Sequence, residues 1–211
     1  MAEQYGGLFT RDMIIQLNTV FDKMDKELVL RLYPDERPLA EELAQYLLAL
    51  CDMCPKLTLI REEAANEAER PYVKVFFADG TEAGTSFHGV PGGHEFTPFI
   101  LSLYNLSGPG QPIDARDKEH VLALEKAIEM KIMVSLNCTM CPELVTAAQR
   151  IASLNRRVKV DVYDINHFPA MREAHQVQNV PCFIVNGSSP MYGKKSLPAL
   201  LEIFTDAEEV S

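Results

Sequence analysis

"VSLNCTMCPELVTAAQRIASLN", residues 134 to 155, sets two cysteines three apart where an apolar run ends and a helical pattern begins. Such spacing suits a working dithiol or half of a metal clip. A second pair, in "LCDMCPKL" at Cys51 and Cys54, has the same spacing, so local context must decide between them. Cys138 falls at a helix start, with Asn137 before it and Pro142, tolerated in a first helical turn, after Cys141. Unpaired N–H groups and the helix dipole favour negative charge there, and the thiolate is the reactive form of cysteine. Cys138 is therefore expected to be the exposed attacking thiol and Cys141, one turn deeper, the resolving thiol. Cys51 and Cys54 follow the helical segment "RPLAEELAQYLLAL", where the dipole has the wrong sign, and are expected to be structural thiols.

Working outward, "TRDMIIQLNTVFDKMD" (10 to 25) spaces Ile14, Leu17, Val20, Phe21 and Met24 as an amphipathic helix. The pattern then predicts strand "ELVLRLY" (27 to 33), helix (37 to 50), strand "KLTLI" (56 to 60), and strand "YVKVFFADG" (72 to 80) ending in an Asp-Gly turn. A further strand "GTSFHG" and a helix over "GHEFTPFILSLYNL" (93 to 106) follow. The Gly- and Pro-rich stretch "SGPGQPIDA" (107 to 115) is the strongest break in the chain. After it the same order restarts: connecting helix "DKEHVLALEKAIEM", strand "KIMVSL", helix "CPELVTAAQRIASL", strand "VKVDVYD", helix "FPAMREAHQ", strand "PCFIVNG", short strand "MYG" and helix "LPALLEIFTDA".

A constant shift lays Leu32 on Leu136 and Pro38 on Pro142, and "RPYVKVFFADG" matches "VPCFIVNG" as a Pro-led strand closed by a Gly turn. This is an internal repeat. Each copy is a β-α-β unit followed by a hairpin and a closing helix, which predicts an α/β fold of two mixed sheets with helices on both faces. The boundary is placed at 107/108. In the same shift Cys138 and Cys141 fall on Pro34 and Arg37, so the first copy lacks thiol chemistry there, and Cys51 and Cys54 fall on Asn155 and Val158.

Composition limits the function. With 47% hydrophobic residues the chain can bury a substantial core, and a formal charge of −10 argues against a nucleic-acid partner, which needs a basic face. The first twenty residues lack a signal-peptide pattern, and no apolar run approaches about 18 residues. A soluble, cytoplasmic chain is expected, with protein or small-molecule partners and no membrane. Five cysteines, an odd number in a chain this large, argue against a secreted disulfide framework. Zinc shared by the two pairs is disfavoured by the long stretch of chain and the boundary between them.

"NVPCFIVNG" (179 to 187) adds independent weight to the dithiol reading. A Val-Pro at a strand start downstream of a CxxC is where this chemistry uses a cis proline, turning the preceding backbone outward to pair with an extended peptide. Val180 would offer that edge, with Pro181, Thr139 and Met140 completing a substrate-binding surface. Cys182 is expected to be buried in its strand.

The stretch "SLNCTMCPELVTAAQRIASLNRRVKVDVYD" with "NVPCFIVNG" resembles the thioredoxin and glutaredoxin superfamily. The tandem arrangement is similar to the N-terminal module of the alkyl hydroperoxide reductase flavoprotein subunit, and "GGHEFTPFILSL" (92 to 103) matches that module's Gly-His-Glu-Phe-Thr signature. The resemblance runs from about Leu8 to Phe204. It implies two tandem thioredoxin-like folds, residues 1–107 without a redox CxxC at the active-site position and 108–211 with one. It further implies a thiol-disulfide oxidoreductase that carries electrons from a flavin- and NADH-binding reductase to a two-cysteine peroxiredoxin. Cys138 would attack the peroxiredoxin disulfide and Cys141 would release it. Glu95, the acid of the signature, would lie near the dithiol and handle protons, or else merely cap a helix; His94 would only hydrogen-bond locally. No cofactor beyond the Cys138–Cys141 dithiol is expected, since "SGPGQP" does not fit a dinucleotide fingerprint. The alternatives are a general disulfide oxidoreductase or isomerase with two active pairs, and a metal-binding or scaffold module that never turns over.

Overall fold

The computed structural model describes residues 7–63 and 69–210, with side chains through residue 207. Helix α1 (Arg11–Phe21) starts where the Thr10 hydroxyl accepts from the Met13 N–H, and buries Ile14, Leu17 and Phe21. There follow β1 (Leu28–Tyr33), α2 (Pro38–Met53), β2 (Leu57–Arg61), β3 (Tyr72–Phe77), β4 (Glu82–His88), a 3-10 turn (Gly93–Glu95) and α3 (Phe96–Ser107). The second half runs α4 (Ala115–Ala123), β5 (Ile128–Val134), α5 (Cys141–Leu154), β6 (Val158–Asp164), α6 (Pro169–Ala174), β7 (Cys182–Val185), β8 (Met191–Tyr192) and α7 (Leu197–Val210). Prolines stand in the first turns of α2, α5 and α6, where a missing N–H costs nothing.

The strand order is β2-β1-β3-β4-β6-β5-β7-β8. The repeat is visible in it, because β2-β1-β3-β4 and β6-β5-β7-β8 have the same order and directions: a parallel pair, then an antiparallel hairpin. Instead of two separate sheets there is one. Strand β4 pairs in parallel with β6, from Thr85 opposite Val160 to His88 opposite Tyr163. Gly84 makes the join possible: it has φ +81°, and a Cβ there would lie 2.7 Å from the Val158 carbonyl oxygen.

Helices cover the two faces unequally. On β1 the alternation sends Leu28, Leu30 and Leu32 into a core shared by both halves, and on β5 it sends Ile128, Met130, Ile132 and Val134 there too. Each such side chain contributes about 1.5–3 kcal/mol by leaving water. The opposite face carries a smaller cluster in which Met171 of α6 packs with Met133, Tyr163, Phe168, Cys182 and Ile184. Across the join on this face, Tyr33, Tyr72, His88 and Tyr163 stack in a row, with ring centroids 4.6, 4.6 and 3.9 Å apart. Stacked pairs of this kind add about 0.5–1.5 kcal/mol each beyond the area they bury.

Two sequence readings are corrected. The connecting helix expected over "DKEHVLALEKAIEM" ends at Ala123, and Ile128–Met130 belong to β5, held by pairing with Val158–Val160. Ladder pairing and burial outweigh a helical pattern in so short an apolar stretch. The uniform repeat register also slips, because α2 has 16 residues and α5 has 14. Asn155, the C-cap of α5, therefore occupies the place of Cys54, the C-cap of α2; each carbonyl accepts from the first residue of the next strand, Leu57 or Val158, at 3.0 Å.

Candidate active site: the Cys138–Cys141 disulfide

The last three residues of β5, 132–134, are all buried, so the chain leaves the core only at Ser135. A turn closed by the Cys138 N–H on the Ser135 carbonyl, 2.9 Å, delivers Cys138 to a half-buried position. Cys141 is the first residue of α5 and is fully buried, 0% exposed. The two form a disulfide with Cα atoms 5.5 Å apart. Only one of its sulfur-bearing residues is within reach of a partner, and it is Cys138. Thr139 and Met140 between them are exposed, Met140 at 52%. No side chain caps the N-terminus of α5, so its first N–H groups keep their partial positive charge for a thiolate.

The Val180–Pro181 bond is cis, as the strand-initial Val-Pro suggested. Pro181 is buried and Val180 half-buried, and the Pro181 carbonyl accepts from the Gly193 N–H at 3.0 Å. Among the described residues the Val180 backbone makes no hydrogen bond.

Glu95 closes the 3-10 turn ahead of α3 and is 0% exposed. It caps nothing: α3 has no side-chain cap, and both carboxyl oxygens lack a hydrogen-bond partner among the described residues. Burial, aided by the nearby Asp164 charge, pushes its pKa up to about 8. The turn packs on α5, and the His94 N–H donates to the Leu136 carbonyl at 2.9 Å, which ties it to the loop just before Cys138. The His94 side chain is exposed.

Asp164 was missed in the sequence. It ends β6 opposite Val134, the last residue of β5, and is 1% exposed, with burial raising its pKa. Its Oδ1 accepts from the Asn166 N–H at 3.2 Å, the Asn166 amide donates to Ser135 Oγ at 3.2 Å, and His167 Nε2 stands 3.7 Å from Oδ2. An acid closing the strand parallel to the one that feeds a CxxC was the available signal.

In the first half Arg37 stands at the position matching Cys141. Its Nε bonds Asp35 at 2.6 Å, Nη1 donates to the His167 carbonyl of the other half at 2.9 Å, and Nη2 donates to the Arg70 carbonyl. The Arg70–Pro71 bond is cis as well, so this arginine occupies the edge that Val180 leaves open in the second half. Cys51 is half-buried in the last turn of α2, and Cys54, 0% exposed, has its sulfur 4.0 Å from Met24 Sδ. Both are free thiols; burial pushes the Cys51 pKa up to about 12 and raises that of Cys54. Cys182 is buried in β7 and its thiol is also pushed up by burial.

The thioredoxin domain model matches residues 128–204. A crystal structure of the N-terminal domain of the alkylhydroperoxide reductase AhpF from Enterococcus faecalis superposes with a TM-score of 0.87 at 30% identity, covering 93% of this chain and 99% of that one. The chain belongs to the family of that domain. AhpF from Pseudomonas aeruginosa is 28% identical over 186 residues, 88% of this chain but 35% of that protein, so the chain spans about a third of this relative. A protein disulfide oxidoreductase from Aeropyrum pernix, 16% identical with a TM-score of 0.79 over 95% of this chain and 94% of that one, shares the fold. Among the described residues no helix is long and apolar enough to cross a membrane.

Proposed function

We propose that this chain is the electron-passing module of an alkyl hydroperoxide reductase system, moving electrons by dithiol exchange from a thioredoxin-reductase-like flavoprotein to a peroxiredoxin. The observation that carries the reading is the pairing of a half-exposed Cys138 with a fully buried Cys141 at the uncapped start of α5. Kinship with AhpF supports the choice of donor and acceptor.

In the reduced module the Cys138 thiolate attacks one sulfur of the peroxiredoxin disulfide, and the other sulfur leaves as a thiolate. Thr139, Met140 and the Val180 edge hold the incoming chain. Glu95, as carboxylate, takes the proton of the Cys141 thiol; with a pKa near 8 it can both hold and release that proton at physiological pH. The Cys141 thiolate then attacks Cys138 Sγ, expelling the second peroxiredoxin sulfur. Two electrons have left, and the Cys138–Cys141 disulfide awaits the flavoprotein dithiol. The raised pKa values of Cys51 and Cys54 keep them protonated and out of this sequence.

In a Cys141→Ser variant a peroxiredoxin should be trapped on Cys138, read by peptide mass mapping, and NADH oxidation through the flavoprotein should need both cysteines. Adducts on Cys51 or Cys54, or turnover that survives Cys138→Ser, would refute the assignment. The reduction potential should lie near thioredoxin's, about −270 mV; a value near about −120 mV would reverse the direction of electron flow.

A further inference from the structure

At the end of the sheet away from the disulfide, where the two halves meet, lies a cavity of about 620 Å³. Its walls carry Lys26, Lys118, Arg150 and Arg156 against the acids Glu27 and Asp79. In a chain with a formal charge of −10 this is a local reversal of sign. None of the four cations is in an ion pair among the described residues.

Arg150 is the informative one, for it is only 8% exposed. Its Nη1 donates to Ser153 Oγ at 3.3 Å and its Nη2 to the Gln111 carbonyl, both neutral acceptors, while Nε is buried without a partner among the described residues. A guanidinium removed from water normally has a carboxylate beside it, because the cost of desolvating the charge is several kcal/mol. Here the described residues supply none. The loop "SGPGQP", which the dithiol chemistry leaves unused, is shaped around this charge. Gly110 has φ +73°, and a Cβ there would lie 2.5 Å from Arg150 Nη1. Asn105 clamps the loop, accepting from the Gln111 N–H at 2.7 Å and donating to its side-chain oxygen at 2.9 Å.

We infer that this cavity is a binding site for a small phosphorylated ligand, with Arg150 as the buried counter-charge and Lys26, Lys118 and Arg156 completing the cradle. The volume suits a metabolite-sized molecule. Several ammonium and guanidinium groups converging on one space match a multiply charged phosphate better than a single carboxylate. Helix α5 joins the two sites: it begins at Cys141 and carries Arg150 nine residues on, about 14 Å along the axis at 1.5 Å per residue.

The test is calorimetric titration of the whole chain with inorganic pyrophosphate, with citrate as the carboxylate control. Pyrophosphate should bind one to one with Kd below about 1 mM. The double variant Lys26→Ala/Lys118→Ala, which truncates two exposed side chains, should weaken it by at least about fivefold while dithiol exchange is unchanged. Arg150→Met should abolish binding, with far-UV circular dichroism checking that the fold survives; the lysine variant stands alone if it does not. Absence of saturable pyrophosphate binding, equal affinity for citrate, or full affinity in the lysine variant would overturn the inference. Since none of these readouts passes through Cys138, failure here leaves the electron-transfer reading standing.

Discussion

Replacing Glu95 by glutamine keeps the shape of the side chain and removes its titration. In the unfolded chain this carboxyl ionises near 4.5, whereas in the folded protein burial and Asp164 hold the proton to about 8. Below pH 4.5 both states are protonated and the raised value costs nothing. Between 4.5 and 8 the unfolded state ionises while the folded state does not, so stability falls with rising pH, by about 1.4 kcal/mol per pH unit. The full interval is worth about 5 kcal/mol at pH 8 and above, trimmed by water entry and local relaxation to about 2–5 kcal/mol. Glu95→Gln should therefore be nearly neutral in stability at pH 4.5 and stabilising by that amount at pH 8.5, measured by urea unfolding of the oxidised chain. Its exchange rate should fall and lose the pH dependence centred near 8. A stability gain that is the same at both pH values, or an unchanged exchange profile, would show that Glu95 is not a buried, proton-holding group.

Cys138→Ser should abolish insulin reduction driven by dithiothreitol, whereas Cys51→Ser should retain nearly all of it; equal losses would contradict a single active pair. Met140→Glu places a charge on the exposed residue between the cysteines and should raise KM for a protein disulfide several-fold while leaving the reaction with a small aromatic disulfide unchanged. If both substrates slow alike, Met140 shapes the dithiol itself and not the docking surface. Arg37→Ala removes the bonds to the His167 and Arg70 carbonyls at an exposed position where water can replace the lost donor, which should cost about 1–2 kcal/mol in chemical unfolding. A loss below about 0.5 kcal/mol would mean that the arginine does not hold the halves together.

The dithiol was legible because its chemistry is local: a helix start, a proline and two sulfurs are all within a few residues of one another. The Val180–Pro181 turn was legible for a similar reason, as a strand-initial proline near a CxxC. Its twin at Arg70–Pro71 passed unnoticed although the repeat aligned the two prolines, since nothing in "ERPY" reveals that Arg37 occupies the edge beside it. Glu95 could be named from its signature, but whether it capped α3 or stood unpartnered depended on what buried it. Asp164 and Arg150 read as ordinary charges on a strand and a helix, and became unusual only when packing sealed them from water.

The pattern of apolar residues by itself determined the β-α-β order of each half, the repeat, and the helix that Cys141 opens, because period and capping act over neighbours in the chain. Tertiary structure alone decided that the halves fuse through β4 and β6 into one sheet, and with that which charges lie buried. Strand pairing between distant segments joins backbone groups that every residue carries, so the choice of neighbour rests on shape and on sites such as Gly84, where a missing Cβ lets two backbones meet.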